Sequence, residues 1–169
     1  IYAVEISDPT SFPFRIDLTI ASSKVNSTLT DFPLLVSLST SITGFSYNGF
    51  LDGDSDGIRT GGDLRFYASN GKELAYEIAD WNTSGTSNIW VKVPTISSSV
   101  DTIITAVWGK PGTETTTPDY ATNDPVWSNG FHGVWHLNAM TNHSLSDSSP
   151  NGFHATAFNG ALNGTAQIG

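Results

Sequence analysis

The chain has 169 residues, of which only 14% are charged, with a net charge of −9. That length accommodates one well-buried domain, or one domain with part of a second, and its wealth of Ser, Thr, Asn and Gly is that of a secreted β protein rather than a coiled coil or a disordered tail. The charge excludes nucleic acid and docking on anionic membranes, which need clustered Lys and Arg; no run reaches the length of a membrane span, and without cysteine there is no disulfide or thiol chemistry.

Helical periodicity is nearly absent, whereas alternation at period two is plain. Phe14, Ile16, Leu18 and Ile20 share one face of a first strand. Leu34, Val36 and Leu38 mark a second, Leu64, Phe66 and Ala68 a third, and Leu74, Tyr76 and Ile78 a fourth. Ile89, Val91 and Val93 mark a fifth, expected to stop at Pro94. Ile103–Trp108 is apolar on both faces and is expected to be a central, covered strand. Short strands at this spacing, with turn residues between them, predict an all-β chain folded as an antiparallel β-sandwich of jelly-roll or immunoglobulin-like type. Phe14, Ile16, Leu18, Phe66, Leu74, Tyr76, Val91 and Trp108 are expected to share its core.

One turn can be argued closely. A two-residue Asn70-Gly71 turn would pair Phe66 with Ala75 and send the apolar sets to opposite faces. A three-residue loop, Ser69-Asn70-Gly71, pairs Phe66 with Leu74 and Leu64 with Tyr76, which keeps them together. The three-residue loop is therefore expected, with Gly71 left-handed.

After Gly109 the character changes. Residues 1–110 read as the β-sandwich domain and 111–129, rich in Thr, Pro and Asn, as a linker or long loop. Phe131–Leu137 then resumes a strand pattern. The stretch 130–169, with short apolar islands among Gly and Asn, reads as the opening of a second sandwich that is not completed.

The acidic loop Asp52-Gly53-Asp54-Ser55-Asp56-Gly57 carries the clearest chemical signal. Counted from Asp52, acids fall at positions one, three and five, glycine at six and Asp63 at twelve. That spacing lets one loop turn oxygen after oxygen toward calcium. The expected ligands are Asp52, Asp54, Asp56 and Asp63, the carbonyl of Ile58, and Thr60 directly or through water. The competing reading is a polar surface turn, since the same residues favour turns. A flanking helix on either side is not expected, so the loop would belong to a β scaffold of extracellular type.

Among the five tryptophans, Trp108 and Trp135 sit in apolar runs and read as core. Trp90 shares a strand face with Lys92, opposite Ile89, Val91 and Val93. That face is either covered by a further layer or left open as an aromatic platform. Trp81, between Asp80 and Asn82, and Trp127, in the linker, are the better exposed candidates for stacking on sugar rings; satellite packing under a loop is the alternative for each. His132, His136, His143 and His154 lack a close metal-binding spacing. Glu73 and Glu77 are four residues apart, two steps along one strand face, a spacing that invites comparison with a glycosidase pair, but with Arg65 and Lys72 beside them by register they read as a charge cluster.

The phrases Gly62-Asp63-Leu64-Arg65-Phe66, Asn70-Gly71, Tyr76-Glu77-Ile78, Ile89-Trp90-Val91-Lys92-Val93-Pro94 and Trp108-Gly109 resemble a bacterial and archaeal domain of unknown function, the family numbered 2341. Ala121–Trp127, Gly133-Val134-Trp135-His136-Leu137 and Asp147-Ser148-Ser149-Pro150-Asn151-Gly152 are similar to the junction where that domain runs into a concanavalin A-like, laminin-G-type module. Two departures are Trp108, where the family has tyrosine, and an end that leaves the second module truncated. The resemblance implies a β-sandwich exported to the cell surface, often beside glycan-binding modules, and carries no catalytic residues. The expected function is a non-catalytic extracellular binding module for glycan or a cell-surface ligand, with calcium shaping its loop. The alternative is a structural subunit of a surface layer, filament or adhesin, assembled through protein–protein contacts at strand edges.

Overall fold

The computed structural model describes residues 9–52, 59–113, 118, 123–136 and 146–154. Among these residues seven strands form two antiparallel sheets, and the fold is essentially all-β. The strands are β1 (Phe14–Ile20), β2 (Leu29–Ser39), β3 (Arg65–Ala68), β4 (Glu73–Leu74), β5 (Tyr76–Asp80), β6 (Thr86–Ile96) and β7 (Thr102–Trp108). One sheet has the order β1-β7-β3-β4, the other β2-β6-β5. Among the described residues three short 3-10 turns lie between or before the strands, and one α-helical turn, α1 (Asn123–Val126), follows. Among the described residues no helix is long and apolar enough to cross a membrane.

The alternation read from the sequence becomes the space between the sheets. Ile16, Phe66, Leu74 and Trp108 from one sheet meet Val36, Leu38, Tyr76, Ile89, Val91 and Val93 from the other in one buried cluster. Burying a side chain of this size removes about 1.5–3 kcal/mol of unfavourable hydration. Phe14 does not join them, being 45% exposed. It lies at the end of an edge strand, yet its ring stacks on Trp108 at 5.8 Å, and Phe50 stacks on Trp108 at 5.4 Å. Strand β7 is central, between β1 and β3. Its outward Val107 is covered by Phe12 and Tyr67, although Ile103 near its start stays 43% exposed.

The hairpin argued from parity is present. Phe66 faces Leu74, Gly71 N–H donates to the Ala68 carbonyl at 2.9 Å, and Gly71 has φ 79°. The expected continuation, Leu64 opposite Tyr76, is not. After Leu74 the chain leaves its first partner, and Tyr76 pairs with Val91 in the other sheet. A strand that changes sheets makes a corner of the sandwich, and here the change takes one residue, Ala75. Leu64 and Tyr76 still meet, through the Tyr76 hydroxyl donating to the Leu64 carbonyl at 2.6 Å. Burial pushes the Tyr76 hydroxyl up to about 12, so it remains a donor.

Pro94 does not end its strand. Strand β6 runs on to Ile96 because Pro94 lies beyond the last β5 partner, Val91, where a missing N–H disrupts no β5 ladder bond. On the other side Phe32 pairs with Val93 and Thr30 with Thr95. Between them Asp31 takes φ 47°, the left-handed region that Asp tolerates better than most residues.

Leu74→Ala should cost about 2–5 kcal/mol by opening a cavity beside Phe66. Gly71→Ala should cost about 1 kcal/mol through its backbone alone, since a Cβ there touches nothing. Urea unfolding of the two variants would separate packing from conformational strain.

Candidate functional site

Two regions gather the polar side chains. The first is the base of the acidic loop. Gly53–Ile58, including the expected ligands Asp54, Asp56 and Ile58, lie outside the described residues; Asp52, Thr60 and Asp63 are described. The two ends of the loop are tied together. Arg59 Nε donates to the Phe50 carbonyl at 2.9 Å, and Trp81 Nε1 donates to the Arg59 carbonyl at 2.6 Å. Trp81 is half-buried. Its ring meets Phe50 at 4.9 Å and Tyr47 at 5.5 Å, both edge to face, and lies so close over Gly61 that a Cβ there would sit 2.8 Å from it.

Asp63 is fully buried. Its Oδ2 accepts from the N–H groups of Gly109 at 2.7 Å and Leu51 at 3.3 Å, joining three loops. Its Oδ1 has no hydrogen-bond partner among the described residues. Burial raises its pKa, with the backbone N–H groups and Arg65 pulling the other way. Thr60 is exposed at the same end of the loop.

The second region is the outer face of the β2-β6-β5 sheet. Trp90 stands there with its register partners Leu35 and Glu77. The face is covered by the chain's own later residues. Trp127 is 5% exposed and Val126 fully buried, both within the stretch read as a linker. The Trp127 ring meets Trp90 at 5.1 Å, Phe131 at 5.2 Å and His136 at 5.6 Å.

Glu77 anchors this cover. It is buried, and its Oε2 accepts from Trp127 Nε1 at 2.5 Å. Its Oε1 accepts from Ser148 Oγ at 3.1 Å and lies 3.0 Å from His136 Nε2. Glu73, by contrast, belongs to the other sheet and lies 3.6 Å from Arg65 Nε, so the two glutamates have separate partners on separate sheets.

Asp147 organises the last described turn. Its Oδ1 accepts from the N–H of Val134 (2.7 Å) and Ser149 (2.9 Å), its Oδ2 from Ser149 Oγ and the Phe153 N–H, both at 2.8 Å. Burial alone would raise its pKa; the hydrogen bonds outweigh that and hold it well below the usual 3.8. Phe131–His136 makes no strand ladder among the described residues; one backbone bond, from the Ser148 N–H to the Val134 carbonyl at 2.7 Å, joins the side-chain bonds that attach it. Trp135 is not core but 42% exposed, with Nε1 donating to the Phe153 carbonyl at 3.0 Å.

Residues 60–137 match the family model described as Domain of unknown function (DUF2341). No curated protein and no solved structure matches the chain. The DUF2341 match runs from the end of the acidic loop through β3–β7 and into the cover that carries Trp127 and His136.

Glu77→Ala should leave the Trp127 N–H and the Ser148 hydroxyl unpaired, costing about 2 kcal/mol. It should also shift tryptophan emission to the red as Trp127 is wetted. For Asp147, a lowered folded-state value means that its contribution is complete above the ordinary carboxylate range and is lost as pH falls through the lowered value. Amide-exchange protection at Val134 and Phe153 should therefore persist at pH ~4 and fail only in stronger acid, whereas Asp147→Ala should lose it at every pH.

Proposed function

We propose that this chain is a non-catalytic extracellular binding module for glycan or another cell-surface ligand, with calcium holding its acidic loop. The observation that carries the reading is a cleft of about 310 Å³ at the corner where the chain changes sheets. It is a half-open groove lined by apolar and charged residues of β2, β4 and β6 and of the cover, and convergent polar groups beside apolar surface suit a small ligand. In this reading the chain from residue 130 onward opens a neighbouring concanavalin A-like, laminin-G-type module, and the outer face around Glu77 is where the two meet.

The tryptophans have a different part in this reading from the one their sequence positions suggest. Trp81 braces the acidic loop, and Trp127 and Trp90 hold the cover. The calcium proposal is supported by Asp63, a fully buried carboxylate with one oxygen unpartnered among the described residues, at the twelfth position of the loop. Leaving such an oxygen without a partner costs about 1–3 kcal/mol or more, and a cation would remove that cost. Calcium would then be gripped by Asp52, Asp54, Asp56 and Asp63 with the Ile58 carbonyl, Thr60 completing the shell.

A second reading, a structural subunit assembled through strand edges, draws support from β1. Among the described residues it pairs only with β7, and it carries the exposed Phe14. Under that reading apparent mass by light scattering rises with concentration.

A glycan array probed in calcium and in chelator tests the main reading: selective retention is expected, and retention of no glycan would overturn it. Calcium should raise the melting temperature by mass action and chelator lower it. The response should fade on acidification, because the ligands must be ionised, and Asp54→Ala should abolish it without unfolding the chain. Identical melting in calcium and chelator would remove the metal from the proposal.

A further inference from the structure

We propose that the corner cleft binds a uronic-acid-type sugar, a ring bearing one carboxylate among several hydroxyls. The inference rests on the binding-module reading and gives its ligand a chemical class.

The cleft exists because of the change of sheets. Strand β5 pairs with β6 only up to Val91, while β4 pairs with β3. Past Val91, apart from the Lys92 N–H donating to the Ala75 carbonyl at 2.9 Å, β6 runs on to Ile96 with no strand of the described residues paired to it on that side. Leu74, Ala75 and Pro94 line the gap, and Pro125 and Ser128 of the cover close its mouth. The volume of about 310 Å³ suits one or two sugar rings, and the proline and alanine surfaces suit their C–H faces.

The charges give the polarity. Lys72 and Lys92 both line the cleft, in a chain with only seven Lys and Arg and a net charge of −9. Lys92 is held in place, its Nζ donating to Ser128 Oγ at 2.7 Å. Of the two carboxylates that line it, Glu73 faces Arg65 at 3.6 Å. The other is Asp31, which is exposed.

Asp31 adds an independent observation. Among the described residues it is the only non-glycine with positive φ. Its carbonyl accepts from Asn129 Nδ2 at 3.4 Å and that of Thr30 from the same atom at 3.2 Å, so the cover holds this backbone. Residues kept in sparsely populated conformations cluster at ligand clamps. Phosphate is compact, with no apolar ring face for the proline and alanine surfaces and no spread of hydroxyls to reach Asp31 and Ser128 together, so it would meet the repulsion of Asp31 and Glu73 without that compensation. A uronate would give its carboxylate to the two ammonium groups and its hydroxyls to Asp31 and Ser128. Charge-assisted hydrogen bonds of this kind are roughly twice as strong as neutral ones.

The test is a calorimetric and NMR titration of the chain with tetragalacturonate, maltotetraose and inorganic phosphate, in calcium buffer. Tetragalacturonate should bind at least about tenfold more tightly than maltotetraose, and its shift changes should centre on Lys72, Ala75 and Ser128. Lys92→Ala should weaken it about tenfold. Lys72→Ala, which leaves the Lys92–Ser128 anchor in place, should do the same with unchanged melting temperature. Equal affinity for the neutral sugar, displacement by phosphate at equal concentration, or indifference to both lysine substitutions would overturn the assignment. If neutral glycans are retained on the array while tetragalacturonate does not bind here, the cleft assignment fails and the binding module stands; if no glycan binds anywhere, both fail.

Discussion

Everything in this molecule turns on a strand that belongs to two sheets. Leu74 pairs with Phe66 in one sheet and Tyr76 with Val91 in the other, with only Ala75 between. Both side chains stay buried in the shared core, so the crossing keeps the alternation intact while changing the partner. The Tyr76 hydroxyl then reaches back to the Leu64 carbonyl, tying the strand to the sheet it has left. The sheets cannot slide past one another without breaking this connection. The cleft and the open edge of β6 beyond Val91 both follow from the gap it leaves.

A second theme is the use made of buried carboxylates. Asp63, Glu77 and Asp147 are all nearly inaccessible, and burying a carboxylate demands hydrogen bonds in return. Each therefore gathers several donors, for Asp63 and Glu77 from segments distant in sequence. Asp63 joins the loops at Leu51 and Gly109. Glu77 draws Trp127, His136 and Ser148 onto the sheet, and Asp147 closes the last described turn. In a chain without disulfides, these are its cross-links. Unlike disulfides, those at Asp63 and Asp147 can be undone by protonating the carboxylate.

Much of the sandwich was legible in the chain because period-two alternation reports directly on a buried face. Parity alone picked the three-residue loop at Gly71 and the Phe66–Leu74 pair. What parity cannot report is which sheet a strand joins, so Tyr76 was expected beside Leu64. Pro94 was misleading for a related reason: a proline stops a strand only where a neighbour needs its N–H. The cover over Trp90 left a trace that could have been followed. Leu35, apolar at a position that alternation assigns to solvent, lies across from Trp90, and Glu77 lies on its other side. An apolar residue beside a tryptophan on a supposedly open face points to something lying over both. The Asp63 side chain was singled out as a ligand, but not its bonds to Leu51 and Gly109, because backbone donors carry no sequence signature.

The pairing of β1 with β7 has a consequence for the order in which the molecule can be made. Among the described residues, the first strand of the sandwich finds its neighbour only in the last. During synthesis, which delivers the N-terminus first, β1 must wait unpaired until nearly the whole sandwich has emerged. Contacts so far apart in sequence are entropically slow to close. Its alternating polar positions, with Arg15 and Asp17 on the outward face, would keep that waiting segment soluble. Closure of the two-sheet core is thus a late event, in which the earliest described strand is captured by the last described one, and the cover over Trp90 docks after it.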